Sequence, residues 1–310
     1  MSKKDLLTLL DLSAAETRGL ISRALTMKKE HRRGRGKTLL RGKVLGLFFS
    51  KPSTRTRISF QVGMAQLGGT ALDIPPAETQ LQRGETLEDT ARVLSRYLDG
   101  LVVRTFEQAE IERWAAHSTI PVINGLSDLV HPCQILSDLM TIREHFGRLK
   151  GVRVTYVGDG NNVAHSWILA AGLLGIDLRL ALPRGFDPLP EVMEEARSIW
   201  RGAGEPPVIL REPLEAARGA DVLYTDVWTS MGQEKERKKR LRAFRKFQVD
   251  ERLLAAADRR AVVMHCLPAH RGEEISPGVL DGPRSLVLDQ AENRLHLQKA
   301  LLVKYLRPKG

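Results

Sequence analysis

Short apolar runs alternate along the chain with longer segments in which apolar residues recur every three or four positions. The short runs predict buried β-strands, and the longer segments predict helices. The predicted strands are 44–49, 101–103, 121–123, 152–157, 178–181, 208–210, 222–225 and 261–264. The predicted helices begin near residues 6, 58, 87, 132 and 291. Strands that alternate with helices are typical of α/β proteins with parallel sheets.

Two of the predicted helices carry start signals. Thr86-x-x-Asp89 resembles a capping box and opens a helix that we extend to Tyr97. Pro132 suits the first position of a helix that runs to Phe146.

A polar, glycine-flanked segment at residues 147–151 separates two series of strands, and we expect a domain boundary there. The 310 residues are enough for two domains of ordinary size. Side chains that could bind a ligand follow five predicted strands, and these are Ser53, Arg104, Asn162, Asp226 and Cys266. Ligands of open parallel sheets bind at the carboxyl ends of the strands. We therefore predict two α/β domains, each a parallel sheet flanked by helices, with the active site in the cleft between them.

The composition is that of a globular protein. Hydrophobic residues make up 42% of the chain and charged residues 27%, so a sizeable core can form. No run of 18 apolar residues occurs, and we expect no membrane span. The apolar stretch at residues 6–10 ends at Asp11 and does not match a signal peptide, so we interpret it as the start of a packed helix. A cytoplasmic location is the resulting expectation.

The net charge of +11 favours anionic partners such as phosphates, acidic metabolites or nucleic acids. Basic residues cluster at residues 31–37 and again at residues 235–246. Neither cluster is rich in the aromatic residues that stack on bases, so we interpret both as solvated loops or helix faces. Nucleic-acid binding remains an alternative that steep salt dependence would support.

Two cysteines are too few for a disulfide scaffold. Each lies near a histidine, so a metal site is conceivable on ligand type, with the ligands His131, Cys133, His265 and Cys266. The strong C-x2-C spacing is absent, and we predict no metal. A nucleotide-dependent oxidoreductase is a second alternative, but the turn at residues 158–162 lacks the third glycine of G-x-G-x-x-G.

The sequence Ser53-Thr54-Arg55-Thr56-Arg57 lies where a helix is predicted to begin. A helix N-terminus offers unpaired backbone N–H groups and the positive end of the helix dipole. Three hydroxyls and the guanidinium groups add donors suited to phosphate oxygens. An ordinary Ser/Thr helix cap is the alternative, and the arginines favour a phosphate.

Other candidate residues also have ordinary structural alternatives. His131 and Asp226 could cap the segments that follow them. Cys266 could be a small buried hydrophobic residue, and Arg294 could form a surface ion pair. The order of the motifs along the chain, rather than any single residue, carries the functional interpretation.

Five motifs occur in order, and they are Ser53-Thr54-Arg55-Thr56-Arg57, His131-Pro132-Cys133-Gln134, Asp226-Val227-Trp228-Thr229-Ser230-Met231-Gly232, His265-Cys266-Leu267-Pro268 and Glu292-Asn293-Arg294. Together they resemble the aspartate/ornithine carbamoyltransferase family over about residues 45–300. The Ser-Met-Gly sequence and the two cysteine-containing motifs resemble its ornithine-type members. The resemblance implies a carbamoyl-phosphate-binding domain over residues 1–147, on which the C-terminal helix 291–310 packs, and an ornithine-binding domain over residues 148–290.

The resemblance also implies roles for individual residues. Carbamoyl phosphate would be bound by Ser53, Thr54, Arg55, Thr56, Gln80, Arg104, His131, Gln134, Cys266, Leu267 and Arg294. Ornithine would be bound by Asn162, Asp226, Ser230 and Met231. The catalytic residues would be Arg55, Arg104, His131, Asp226 and Cys266. Gln80 would reach the site of a neighbouring subunit, with Gln82 as the alternative, and the assembly would be a homotrimer or an assembly of trimers.

The implied reaction moves a carbamoyl group from carbamoyl phosphate to the δ-amine of L-ornithine and gives L-citrulline and phosphate, without a cofactor. The δ-amine resembles that of lysine, whose pKa is about 10.4, so only about one molecule in a thousand is neutral near pH 7.4. Asp226 and Cys266 are both candidates to handle its proton. Our hypothesis is that Asp226 anchors the amino-acid end and Cys266 orients the δ-amine.

The resemblance further implies a mobile loop over Ser230–Gly232 and the charged residues that follow, which closes over ornithine. The nearest alternative activities are carbamoyl transfer to aspartate or to putrescine. An aspartate enzyme would lack the Ser-Met-Gly and His-Cys-Leu-Pro sequences, and a putrescine enzyme would have no α-carboxylate to bind. Neither nucleic acid nor membrane is expected as a partner.

Overall fold

The computed structural model describes residues 3–200, 206–230, 232 and 234–307. The chain divides into two compact units. The first unit comprises Met1–Met140 and Glu292–Gly310, and the second comprises Thr141–Ala291. No helix among the described residues is both long and apolar enough to span a membrane.

The strands fall into two parallel sheets, one in each unit. In chain order they are β1 (Val44–Phe49), β2 (Thr70–Ile74), β3 (Gly100–Arg104), β4 (Val122–Leu126), β5 (Arg153–Val157), β6 (Asp177–Ala181), β7 (Val208–Leu210), β8 (Val222–Thr225) and β9 (Val262–His265). The first sheet has the order β2-β1-β3-β4, and the second has the order β7-β6-β5-β8-β9.

Helices connect and cover these strands. In chain order they are α1 (Ala14–Arg32), α2 (Thr54–Gln66), α3 (Leu87–Tyr97), α4 (Gln108–His117), α5 (Pro132–Phe146), α6 (Asn162–Leu174), α7 (Pro190–Ser198), α8 (Pro213–Ala217), α9 (Arg237–Phe244), α10 (Glu251–Ala256), α11 (Pro277–Leu280) and α12 (Val287–Leu306). The predicted α/β class, with two parallel sheets flanked by helices, is confirmed.

The core of the first unit forms because its central strands are apolar on both faces. All five residues of β3 are buried, as expected for a parallel strand between two layers of helices. On one face, α3 and α4 contribute a cluster in which the rings of Phe48 and Trp114 lie 4.8 Å apart. Fully burying one such side chain contributes about 1.5–3 kcal/mol.

A close approach of two helices positions part of the candidate site in the first unit. A Cβ atom added at Gly63 of α2 would lie 3.4–3.8 Å from Lys299, Leu302 and Leu295 of α12. These are ordinary van der Waals distances, so α12 packs directly against this face of α2. The same packing places Arg294 of α12 beside Thr56 at the start of α2.

The second unit aligns three strand ends. Val157 pairs with Thr225, and Thr225 pairs with His265, in parallel register. The next residues along the chain, Asp226 and Cys266, therefore leave the same edge of the sheet side by side. This register is the reason why the candidate residues Asp226 and Cys266 lie next to each other.

Two sequence-based expectations are wrong, and one strand was not predicted. Residues 6–10 do not begin a long helix, because Leu6 forms a parallel bridge with Ile123 and a short 3-10 helix occupies Leu9–Asp11. The first long helix begins only at Ala14, where Ser13 and Glu16 form a capping box.

The edge strand β2 was not predicted, since its residues are exposed or only partly buried and show no apolar run. The basic cluster at 235–246 is not wholly solvated, because Arg240 and Phe244 of α9 are buried.

Candidate active site

The start of α2 presents the predicted phosphate-binding residues. Ser53 is the cap, and its hydroxyl accepts a hydrogen bond from the backbone N–H of Thr56 at 3.3 Å. Ser53 is thus a helix cap, as one of the two interpretations of this motif predicts. Thr54 and Arg55 are exposed in the first turn, which contains no acidic residue. The open, positive end of this helix suits an anion.

A buried arginine joins the start of α2 to α5 and α12. The Arg294 guanidinium donates to the Thr56 hydroxyl at 2.8 Å and to Oε1 of Gln134 at 2.6 Å. Gln134 in turn donates from Nε2 to Asp138 at 2.9 Å. Arg294 is 4% exposed, so the surface ion pair considered from the sequence is wrong. These bonds fix the guanidinium beside the predicted phosphate-binding hydroxyls.

His131 is buried at the start of α5. Burial lowers the pKa of His131 well below its ordinary value, and the positive charges of Arg294, Arg104 and Arg55 lower it further. The imidazole is therefore neutral near pH 7. Arg104, at the end of β3, is also buried. Three guanidinium groups around a neutral histidine form a strongly positive environment with a neutral hydrogen-bonding group in it.

Lys51 is a residue of this group that sequence reasoning missed. Its ammonium is almost fully buried, forms an ion pair with Asp128, and lies 4.2 Å from the centre of the Phe106 ring. Asp128 also donates its backbone N–H to the carbonyl of Phe106 at 2.8 Å. Lys51 thereby links the segments that follow β1, β3 and β4. Its position two residues before Ser53 could have indicated that Lys51 lies close to the predicted phosphate-binding residues.

Gln80 and Gln82 lie together on the short 3-10 helix Gln80–Arg83, and both are exposed. Within the described part of the chain, neither side chain hydrogen-bonds to the other predicted carbamoyl-phosphate residues. Exposure therefore does not distinguish the two, and the choice of Gln80 stays a prediction.

In the second unit, Asp226 is the centre of a hydrogen-bonded group at the carboxyl edge of the sheet. Its Oδ1 atom accepts from the Cys266 thiol at 2.9 Å, and its Oδ2 atom accepts from Nδ2 of Asn161 at 2.8 Å. Asp226 is buried, whereas Cys266 is partly exposed. The two candidates for handling an amine proton are thus in direct contact.

Asn161 is a second residue that sequence reasoning missed, next to the predicted Asn162. Its Oδ1 atom caps α6 by accepting from the backbone N–H groups of Val163 and Ala164. The cap fixes the amide so that Nδ2 faces Asp226. Asn162 is the first residue of α6 and is partly buried. The Asn-Asn pair before an apolar helix was the signal, because asparagine is a preferred cap.

Tyr156 extends this group inward. Its hydroxyl donates to Oδ1 of Asn161 at 3.2 Å. Burial raises the pKa of Tyr156 well above its ordinary value, and the nearby carboxylates Asp226 and Asp159 raise it further. The hydroxyl therefore stays protonated and remains a donor, which supports the orientation of Asn161.

Leu267 follows Cys266 with a φ of 57°, in the left-handed region. This conformation costs an L-residue about 1–2 kcal/mol and persists only where surrounding contacts determine it. The backbone N–H of Leu267 donates to Nδ1 of His265 at 2.8 Å. The turn that presents Cys266 is therefore held by the histidine that precedes it.

The predicted ornithine-binding residues Ser230 and Met231 lie beyond β8. Ser230 is partly buried in the segment that follows Trp228. Met231 lies outside the described residues. Gly232 has a φ of 92°, which glycine adopts without strain.

The metal-binding alternative does not fit the chemistry of these residues. Asp226, His265 and Cys266 offer ligand atoms within 4.8 Å of one another. Both ring nitrogens of His265 are hydrogen-bonded, Nδ1 to Leu267 and Nε2 to Glu274. Burial raises the pKa of Cys133 to about 12, so its thiol remains protonated and is a poor ligand.

Two family models match successive parts of the chain. The model described as "Aspartate/ornithine carbamoyltransferase, carbamoyl-P binding domain" matches residues 4–144. The model described as "Aspartate/ornithine carbamoyltransferase, Asp/Orn binding domain" matches residues 150–305. The chain belongs to the aspartate/ornithine carbamoyltransferase family, and the sequence-based resemblance is confirmed.

Individual relatives match over nearly their whole length. The ornithine carbamoyltransferase of Syntrophus aciditrophicus is 56% identical over 300 residues, which is 97% of this chain and 98% of that protein. The solved structure of ornithine carbamoyltransferase from Pyrococcus furiosus is similar with a TM-score of 0.95 at 49% identity, and covers 100% of this chain and 99% of that chain. The Gloeobacter violaceus enzyme structure gives a TM-score of 0.87 at 50% identity, with 98% and 99% coverage.

Proposed function

We propose that this protein is an ornithine carbamoyltransferase, which transfers the carbamoyl group of carbamoyl phosphate to the δ-amine of L-ornithine. The products are L-citrulline and phosphate, and the reaction belongs to arginine metabolism. Full-length relatives at 50–56% identity carry this name. The geometric observation that carries the proposal is the buried Arg294, which bonds to Thr56 and Gln134 in the unit that also buries His131 and Arg104.

The first unit is proposed as the carbamoyl-phosphate-binding domain. The phosphate is held at the start of α2 by Ser53, Thr54, Arg55 and Thr56. Arg294 supports this position through its bond to the Thr56 hydroxyl. His131 and Arg104 donate to the carbamoyl carbonyl oxygen, where negative charge develops during attack. A histidine held neutral can donate one hydrogen bond without competing for the proton of the amine.

Gln134 is the proposed contact to the carbamoyl NH2 group. Its Oε1 atom accepts from Arg294 and retains a second lone pair for another donor. Cys266 and Leu267, from the second unit, complete the contacts to the carbamoyl group in this proposal. The location of the active site in a cleft between the domains stays a prediction.

The second unit is proposed as the ornithine-binding domain, with Asn162, Asp226, Ser230 and Met231 as the contacts to the amino acid. Asp226 supplies a carboxylate for the α-ammonium group. Because Asn161 and Cys266 each donate to one of its oxygens, the carboxylate is held in one orientation. Cys266 then lies where it can orient the δ-amine.

The chemical step balances without a cofactor. The nitrogen of the neutral δ-amine bonds to the carbamoyl carbon, and the bond from that carbon to the bridging oxygen breaks. Phosphate leaves with that oxygen, and the amine loses one proton, which the leaving phosphate can accept. Because the amine is mostly protonated at neutral pH, the site must bind or produce its neutral form.

The assembly and location are also part of the proposal. A homotrimer, or an assembly of trimers, would let the exposed Gln80 of one subunit contact carbamoyl phosphate bound to its neighbour. A cytoplasmic location suits the two soluble metabolites that the reaction uses. Analytical ultracentrifugation tests the assembly. The KM for carbamoyl phosphate, compared between Gln80→Ala and Gln82→Ala, shows which of the two glutamines contacts this substrate.

The experiment that tests the activity measures carbamoylated product and phosphate from carbamoyl phosphate with different acceptors. Ornithine, aspartate, putrescine and N-acetylornithine are compared at equal concentration. We expect turnover with ornithine and at least a hundredfold lower kcat/KM with each of the others, about 2.7 kcal/mol of discrimination. A preference for aspartate or putrescine would overturn the assignment of the acceptor, and no turnover with any acceptor would overturn the proposal.

A further inference from the structure

A buried carboxylate lies next to the His-Cys-Leu-Pro turn, and its hydrogen bonds go to none of the residues assigned to substrate binding. Glu274 is fully buried, and its Oε1 atom lies 3.1 Å from Nε2 of His265. The same oxygen accepts from the backbone N–H of His270 at 2.5 Å. Oε2 accepts no hydrogen bond from the described residues and lies 3.7 Å from Nδ1 of His270. A buried carboxylate is costly without donors, so the two contacts to Oε1 are what stabilise it there.

The hydrogen bonds of His265 define its tautomer. Nδ1 accepts from the backbone N–H of Leu267, so this nitrogen holds a lone pair. The proton of the neutral imidazole is therefore on Nε2, which donates it to Glu274. With the opposite tautomer, two hydrogens would face each other between Nδ1 and Leu267. Glu274 thus selects the form of His265 that can hold the turn.

The backbone on either side of these residues is anchored independently. The N–H of His265 donates to Oε1 of Gln290 at 2.9 Å. The carbonyl of Glu274 accepts from the N–H of Val249 at 2.9 Å. The backbones of both residues are therefore fixed. The contact between their side chains follows from these fixed positions and does not depend on a flexible loop.

The turn itself needs support because Leu267 adopts a left-handed φ of 57°. One residue earlier, the Cys266 thiol donates to Asp226 at 2.9 Å. A rotation of the Leu267 backbone would carry Cys266 away from this contact. The chain of bonds from Glu274 through His265 to Leu267 therefore ends at the thiol.

We propose that Glu274 and His265 are positioning residues that hold the Leu267 turn and so fix the Cys266 thiol on Asp226. The consequence for catalysis rests on the proposed function, since the thiol is assigned there to the δ-amine. Neither residue is a catalytic residue, because neither is placed against substrate. Their effect is exerted through the geometry of Cys266.

The test compares four substitutions that remove one feature at a time. Glu274→Gln keeps an acceptor for Nε2 and removes the charge, whereas Glu274→Met removes the acceptor. His265→Asn keeps an oxygen near the position of Nδ1, whereas His265→Gln keeps a donor near the position of Nε2. Asp221→Asn is the matched control, since this carboxylate accepts from the N–H of Arg153 at the opposite edge of the same sheet.

The main readout is the alkylation rate of Cys266 by iodoacetamide, located by peptide mass spectrometry. A thiol that donates a hydrogen bond to a carboxylate reacts slowly, because the nearby negative charge disfavours the thiolate, which is the nucleophile. Cys133 is fully buried and serves as the internal reference for unfolding. We expect Glu274→Met and His265→Gln to raise the rate at least fivefold, and Glu274→Gln, His265→Asn and Asp221→Asn to change it less than twofold.

Kinetics give the second readout. With saturating carbamoyl phosphate, Glu274→Met and His265→Gln should lower kcat/KM for ornithine by about ten- to a hundredfold. The KM for carbamoyl phosphate should change less than threefold. A purely structural role predicts instead that thermal stability falls while the alkylation rate and the kinetic constants of the folded fraction remain unchanged.

Equal alkylation rates for His265→Asn and His265→Gln would overturn the proposal, even if Glu274→Met does not fold. The alkylation rate requires no substrate, so it tests the positioning whatever the acceptor. Failure of the wild-type protein to use ornithine would instead contradict the proposed function and leave the alkylation result to decide the positioning.

Discussion

His131 is a neutral histidine surrounded by cationic side chains. Burial lowers its pKa well below the ordinary value, and the charges of Arg294, Arg104 and Arg55 act in the same direction. A base with a lowered pKa takes up its proton only when the pH falls below the ordinary range for histidine. In the range from pH 6 to 8, the charge of His131 therefore does not change.

This leads to a prediction for the pH dependence of the reaction. With saturating carbamoyl phosphate, kcat/KM for ornithine should rise about tenfold per pH unit from pH 6 to 8, because the neutral fraction of the amine rises at that rate. Steady-state kinetics over this range measure the slope. An inflection near pH 6.5 that disappears in His131→Gln would show that His131 titrates there and contradict the account.

At the scale of single residues, the sequence indicates which residue types could bind a ligand. It does not determine how their side chains are oriented or what they contact. The motifs indicate Arg294 and Asp226 as candidate residues, but the bond from Arg294 to Thr56 joins residues 238 positions apart. The sequence does not show that Asn161 is the residue that caps α6 and bonds to Asp226. The left-handed φ of Leu267 has no signature in its side chain.

At the scale of secondary-structure elements, the carboxyl edge of the first sheet is held together by Lys51. This side chain follows β1, pairs with Asp128 after β4, and lies over Phe106 after β3. Its stem is buried while Asp128 is largely exposed. Loss of the cation would therefore release three segments without leaving a buried carboxylate unpaired.

Substitution of Lys51 tests this linkage. Lys51→Met keeps the length of the side chain and removes the charge. A charge-assisted hydrogen bond contributes about 1.5–3 kcal/mol. We expect the KM for carbamoyl phosphate to rise about ten- to a hundredfold, with a smaller change in the KM for ornithine. Initial-rate measurements with each substrate varied in turn separate the two constants.

Lys43→Met is the matched control for this experiment. Lys43 bonds to Asp99 at 2.6 Å, just before β1 and therefore at the opposite edge of the same sheet. Its loss should lower thermal stability without raising the KM for carbamoyl phosphate more than twofold. Equal effects of the two substitutions on this KM would show that Lys51 has no special role at the site.

Strands that contain an apolar run were predictable from the sequence, including the partly exposed β7, whereas β2 contains no such run. The apolar runs at residues 44–49, 152–157 and 222–225 correspond to β1, β5 and β8. The edge strand β2 was missed because exposure removes the pattern on which the prediction depends. The predicted capping box at Thr86 is present in part, since its hydroxyl accepts from the N–H of Asp89 at 3.1 Å.

At the scale of the whole molecule, each unit brings together residues distant in sequence. In the first unit, α12 returns the end of the chain to the β1–β4 sheet and supplies Arg294. In the second, the parallel register of β8 and β9 places Asp226 beside Cys266. The class of fold and the order of the motifs were predictable from the sequence, because they depend on local patterns. The pairings were not, because they depend on how distant segments pack.

The net charge of +11 also belongs to this scale. Arginines that are buried in the first unit, such as Arg104 and Arg294, place part of this charge where an anionic substrate is proposed to bind. Most of the other basic residues are exposed or partly buried, where they favour solubility and attract anions over long range. The charge therefore supports an anionic substrate without requiring nucleic acid.

One measurement tests the central proposal most directly. Carbamoyl phosphate labelled with 18O at the bridging oxygen is incubated with the protein and ornithine, and citrulline and phosphate are analysed by mass spectrometry. The account predicts one citrulline for each phosphate, with the label recovered in phosphate, because the bond from carbon to the bridging oxygen breaks. Phosphate released without an equal amount of citrulline, or without the label, would contradict carbamoyl transfer by attack at the carbamoyl carbon.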